Sequence, residues 1–267
     1  MQAAGIKGII SGKMQTRIND GTVQYKLFAG EEELSLNPLV GKSFKISVSG
    51  VQCCQECGAP KVFKMGVCWQ CFSVLARCDT CIVRPEICHF HKGTCRDESF
   101  AKHHCLIPHL VYFSVTSHLK VGITRGGNEL IRWADQGAGR GVVLMEVPTR
   151  RDAGLVESHL KQYYSDRTAW QRMLKGQESD VNLLDEVSSL RDKFSLPDGA
   201  KWREPHVVNL NYPLAKHPEK VKSLKIEKGL EFSGTLEGIK GQYLIFDQGR
   251  VLNIRNGEGW EFEIIVS

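Results

Sequence analysis

The chain lacks any apolar run near the roughly 18–20 residues that a bilayer-crossing helix needs, so no membrane partner is expected. Its first ten residues lack a basic stretch followed by an apolar one, so no secretory leader is expected either. It has no internal repeat and no low-complexity tract. Cysteine is absent from residues 1–52 and from 106–267. A disulfide-stapled secreted domain spreads its cysteines, whereas this crowding points to a reduced, cytoplasmic compartment and to bound metal.

What is present is an ordinary globular composition, 42% hydrophobic and 24% charged, on 267 residues. That length allows one large or two to three small domains with a sizeable core. The expected fold class is α+β, in five pieces. Residues 1–50 read as an N-terminal strand meander, with alternating runs Gly5 to Ile10, Thr22 to Phe28 and Phe44 to Val48. Residues 51–109 form a Cys/His module, 110–176 an α/β piece, and 177–205 a linker that begins as an acidic helix. Residues 206–267 alternate again, with glycine-marked turns at the spacing of a small antiparallel barrel or sheet.

Cys54-x-x-Cys57 and Cys68-x-x-Cys71 are separated by ten residues, with Gly58 just after the first pair. Two residues between thiolates let a tight turn aim both sulfurs at one ion, and a second such knuckle closes the tetrahedron Zn²⁺ prefers. Cys53 is the spare thiol. A second zinc draws on Cys78, Cys81, Cys88 and Cys105, with Cys95, His89 or His91 as substitutes. Four protein ligands leave no open position for water, so one or two structural rather than catalytic zinc ions are expected.

In 110–176 the order reads strand, strand, helix, strand, helix: His109 to Thr116, Leu119 to Thr124, Asn128 to Ala138, Gly141 to Val147, and Arg151 to Tyr164. Tyr112 in the first strand, Lys120-Val121-Gly122-Ile123-Thr124 in the second, Arg132 on one helix and Glu157 on a later one resemble the GIY-YIG nuclease superfamily. The likeness is greatest to its branch with a KIG-T strand. The wider pattern, including Pro85-Glu86, Gly93 to Asp97, Arg132 to Ala138 and Gly238 to Tyr243, resembles a bacterial family catalogued as domain of unknown function 2797.

The superfamily resemblance implies a divalent-metal-dependent nuclease. Tyr112 would assist water attack on a phosphodiester, Arg132 neutralise phosphate, and Glu157 hold Mg²⁺ or Mn²⁺. Lys120 stands where the superfamily has its second tyrosine, and is expected to contact phosphate or to lower the pKa of Tyr112. Arg125 is a further phosphate contact and Trp133 a candidate stacking platform. Two alternatives remain: a non-catalytic, RNA- or ribosome-associated binder, and a zinc-stabilised protein-interaction module.

The formal surplus of +5 counts every cysteine as neutral. Each four-thiolate zinc centre carries about −2, so two would nearly cancel it. What survives is the local surplus of 110–176, with 10 basic and 6 acidic side chains. The expectation of a DNA or RNA partner rests on that piece.

Overall fold

The computed structural model describes residues 4–267, and the chain divides into two compact units, Met1–Ser73 with Asn211–Ser267, and Val74–Leu210. The Cys/His segment is therefore split, its first four-cysteine pattern in one unit and the rest in the other. Among the described residues no helix is long and apolar enough to cross a membrane.

In the first unit, strands from both ends of the chain share one sheet. Its spatial order is Ala4–Ile9, Trp260–Val266, Ser43–Gln52, Glu231–Lys240, Tyr243–Phe246, Arg250–Asn253 and Lys222–Ser223. Glu231–Lys240 turns the corner. Its first half pairs with Ser43–Gln52, its second half pairs with Tyr243–Phe246, and the register shifts between Leu236 and Gly238. A bulge of this kind bends a strand and lets it serve two partners. A three-stranded meander, Gln15–Asn19, Thr22–Ala29 and Glu32–Ser35, lies beside this sheet. The buried Gln242 imitates a backbone partner there: its Oε1 accepts from the Met14 N–H at 2.7 Å and its Nε2 donates to the Met14 carbonyl at 3.2 Å.

The second unit is built on His109–Val115, a run of seven buried residues. Such a continuous apolar run suits a central strand covered on both faces. Leu119–Arg125 pairs with it on one side and Arg140–Val147 on the other, both antiparallel. Short strands Lys201–Trp202 and Val208–Asn209 extend the Arg140–Val147 edge. The helices Glu129–Gln136 and Arg150–Leu160 complete the order strand, strand, helix, strand, helix. Gly137, at φ 73°, ends the first helix in the left-handed conformation that favours glycine. Thr149 opens the second, accepting from the Asp152 N–H at 3.2 Å while donating to its carboxylate at 2.7 Å. The acidic helix expected after residue 177 is Leu183–Lys193, and it packs Leu183, Val187 and Leu190 into the core of this unit.

Candidate functional site

Cys54, Cys57, Cys68 and Cys71 offer sulfurs that all lie within 4.8 Å of one another. The first pair is shaped by a turn in which Gly58, at φ 72°, donates its N–H to the Cys54 carbonyl at 2.9 Å. The second pair straddles the start of helix Trp69–Val74. Tetrahedral ligands at the usual zinc–sulfur length stand about 3.8 Å apart, and Cys57 and Cys68 are separated by 3.7 Å. Burial acts to raise the Cys54 thiol, but the backbone at Cys57, Cys68 and Glu56 outweighs it and draws the group down to about 6. These four residues fit a structural metal. One face of the knuckle is aromatic: Trp69, 61% exposed, meets Phe63 edge-on at 4.9 Å and stacks with Phe72 at 6.2 Å.

In the second unit Cys81, Cys88, Cys95 and Cys105 line a cavity of about 20 Å³ together with His89, and Cys78 is not among its walls. Burial, then the Asp79 carboxylate and the neighbouring sulfurs, push the Cys81 thiol up to about 12. Asp79, Cys81 and His89 also approach one another within 4.8 Å. His91 is exposed and lies outside this cavity wall.

The residues suggested for phosphodiester chemistry meet around the Tyr112 strand. Tyr112 is fully buried and lies opposite Gly122. Gln136, with its amide oxygen toward the guanidinium, accepts from Arg132 Nε at 3.1 Å and Nη2 at 3.2 Å. Its other amide atom lies 3.3 Å from the Tyr112 hydroxyl. Lys120 is buried and donates to Thr168 Oγ1 at 3.3 Å. Glu157 and Asp166 each approach the Lys161 ammonium at 3.2 Å. Lys120 feels Arg132, Asp166, Glu157 and Lys161, so these charges form one cluster.

Burial sets the electrostatics of this cluster. It lowers Lys120 from 10.5 to about 8, aided by the Arg132 charge. It raises the Glu157 carboxyl against the opposing pull of Lys161. It also raises the Tyr112 phenol, which Arg132 draws down only in part. The Tyr112 phenol is thus raised, whereas the expectation was of a tyrosine brought down by Lys120.

The other sequence candidates fall elsewhere. Arg125 is exposed at the end of its strand, opposite His109, and acts on His104 and His109 instead. Trp133 is a core residue rather than an open stacking surface. It is 1% exposed and lies edge-on to Tyr112, and a Cβ at Gly141 would stand 2.7 Å from its ring. Sequence reasoning missed Lys161, Asp166 and Thr168. Lys161 carried a signal, since it stands four residues after Glu157 on one helix. The loop residues Asp166 and Thr168 carried none. Trp69 was missed because nothing in its spacing separates an exposed aromatic from a packed one.

Fold and sites together define a mixed α+β protein with several sheets and a four-cysteine cluster suited to a structural metal. The chain belongs to the family described as "Protein of unknown function (DUF2797)", whose profile matches residues 41–262 and so runs through both units. No curated protein and no solved structure matches the chain.

Proposed function

We propose that the chain is a zinc-containing, nucleic-acid-acting protein whose second unit cleaves phosphodiesters with a GIY-YIG-like site. The observation that carries this reading is the convergence of Lys120, Arg132, Lys161, Glu157 and Asp166 in one cluster of charges, with Lys120 buried and Lys161 and Asp166 at its exposed edge. With Lys120 protonated, three cations stand against two carboxylates, and the burial of Lys120 and partial burial of Arg132 strengthen their pull on an anion over that of free side chains in water. Cys54, Cys57, Cys68 and Cys71 hold zinc in the first unit.

Arg132 neutralises the phosphate, with its guanidinium held in place by Gln136. Lys120, near 8, carries a usable neutral fraction at mild alkaline pH and takes the proton from the attacking water. Glu157 and Asp166 meet on a single ammonium, so the same pair of carboxylates fits a divalent cation once the partly exposed Lys161 swings aside. Bound Mg²⁺ or Mn²⁺ would supply charge stabilisation at the leaving and attacking oxygens. Tyr112, being buried with its pKa raised, acts on Arg132 through Gln136 rather than on the water.

A second reading is non-catalytic nucleic-acid binding, and the complete burial of Tyr112 favours it. Salt dependence tests what both readings share. Affinity for DNA or RNA falls as salt rises, and Arg132→Gln lowers the slope by about one counterion. Affinity indifferent to salt contradicts both. Cleavage separates them, because only the first reading loses its activity in Glu157→Gln.

A further inference from the structure

The segment 74–107 folds without an apolar core. Its helices Ala76–Cys78, Thr80–Val83, Pro85–Ile87 and Phe90–Lys92 are three or four residues long, and Glu98–His104 has seven. Helices this short do not persist alone in water. The buried residues in the segment are Cys78, Pro85, Ala101 and Cys105. Small pieces of chain with so little core are held by a metal, disulfides or a neighbour.

Four of the cysteines border one cavity, their sulfurs not all within the 4.8 Å that the Cys54 cluster keeps. Cys81 lies inside Thr80–Val83, Cys88 caps Pro85–Ile87, Cys95 comes two residues before the Asp97 cap of Glu98–His104, and Cys105 ends that helix. They tie together three short helices, and all four line the one small cavity. Its volume, about 20 Å³, has room for about one water-sized sphere.

We propose that Cys81, Cys88, Cys95 and Cys105 are the ligands of a second structural metal centre, taking a thiophilic divalent ion such as zinc. Each thiol gives up its proton on binding, and the four thiolates around the 2+ ion leave about −2. Arg150 supports this independently. Its Nη2 donates to the Ile82 carbonyl at 2.5 Å and its backbone N–H to the Cys105 carbonyl at 2.7 Å. Its buried Nε has no hydrogen-bond partner. A dianionic centre supplies the countercharge this half-buried guanidinium needs.

In the alternative trio of Asp79, Cys81 and His89, the Asp79 and His89 side chains are already engaged. Asp79 accepts from the Cys81 N–H at 3.1 Å as a helix cap and pairs with Arg96 at 2.9 Å. His89 Nδ1 is paired with Thr94 Oγ1 at 2.8 Å.

The centre goes beyond the phosphodiester reading and does not depend on it. It also braces that site, because Pro85 and Glu86 pack against Gly154 of the helix that carries Glu157. A Cβ on Gly154 would stand 2.6 Å from Pro85.

The test is elemental analysis of the full chain, purified without chelator, with Co²⁺ reconstitution of each variant. The wild type is expected to hold about two equivalents of metal per chain. Cys95→Ser and Cys105→Ser each lose one equivalent, Cys54→Ser loses the other, and Cys78→Ser keeps both. Should a serine variant fail to fold, Cys95→His keeps four ligands, retains the metal, and gives a weaker sulfur-to-cobalt charge-transfer band. Three outcomes overturn the proposal. One is a single equivalent that Cys95→Ser and Cys105→Ser retain. Another is a second equivalent removed by Asp79→Ala or Cys78→Ser but not by Cys95→Ser. The third is thiol titration showing these four cysteines oxidised to disulfides.

Discussion

Gly122 faces Tyr112 directly across the antiparallel pair, and the side chain it lacks is the space that the tyrosine fills: a Cβ there would stand 2.5 Å from the Tyr112 hydroxyl. A methyl group at this place cannot be absorbed by the far end of a flexible chain. The Tyr112 ring also touches Trp133, and its hydroxyl reaches the Gln136 amide that orients Arg132. Gly122→Ala is therefore expected to cost about 1–3 kcal/mol, measured by denaturant unfolding. An unchanged midpoint would mean that the ring has room to move.

The depressed Lys120 gives the proposed cleavage a pH signature. The neutral amine is the working form, so the rate should rise with pH and level off above about 8. Lys120→Met should remove that rise and reduce the rate by about 10²–10⁴-fold. The measurement is the pH profile of single-turnover cleavage. A profile through pH 8 identical in both proteins excludes Lys120 as the base.

His109 predicts acid sensitivity. Its Nδ1 lies 2.8 Å from the Ile107 carbonyl, its Nε2 is buried without a partner, and burial lowers it to about 4. A lowered folded value means that between 6.5 and about 4 the unfolded chain binds the extra proton, so stability falls as pH drops through that window. The loss attributable to this ring approaches about 3 kcal/mol. His109→Leu should flatten the pH dependence of unfolding over that range. An unaltered slope would assign the acid sensitivity to other groups.

The exposed Trp69 predicts a contribution to nucleic-acid affinity that is independent of cleavage. Stacking on an aromatic platform is worth about 1–3 kcal/mol per base, so Trp69→Ala should weaken single-strand binding by about tenfold or more. Metal content should stay unchanged, since Trp69 supplies no ligand. Equal affinity in wild type and variant would leave the aromatic face to a protein partner.

Much of this was legible in the sequence, for identifiable reasons. The His109–Val115 run and the alternation of Trp260–Val266 carry strand periodicity in the residues themselves. The spacing of Cys54, Cys57, Cys68 and Cys71 carries its own geometry. Cys78-x-x-Cys81 looks the same on paper, yet Asp79 caps a helix between the two cysteines, so they do not share a turn as Cys54 and Cys57 do. That the first and last strands of the chain join one sheet depends on pairing over more than two hundred residues, which no local pattern encodes. The partners of Glu157 were half visible. Lys161 follows from helical spacing, whereas Asp166 comes from an irregular loop whose path is set by the fold.

The central claim, that the Lys120, Arg132 and Glu157 cluster cuts phosphodiesters, is tested most directly by incubating labelled DNA and RNA with the full chain in Mg²⁺ or Mn²⁺. Glu157→Gln and Arg132→Gln are the controls. Glutamine suits position 157, because it keeps the size and shape of the side chain while removing the charge that pairs with Lys161 and would hold a cation. The expected result is divalent-dependent cleavage of at least one substrate, reduced about 10²-fold or more in both variants. Absence of cleavage on every substrate, or cleavage that both variants retain, contradicts the claim.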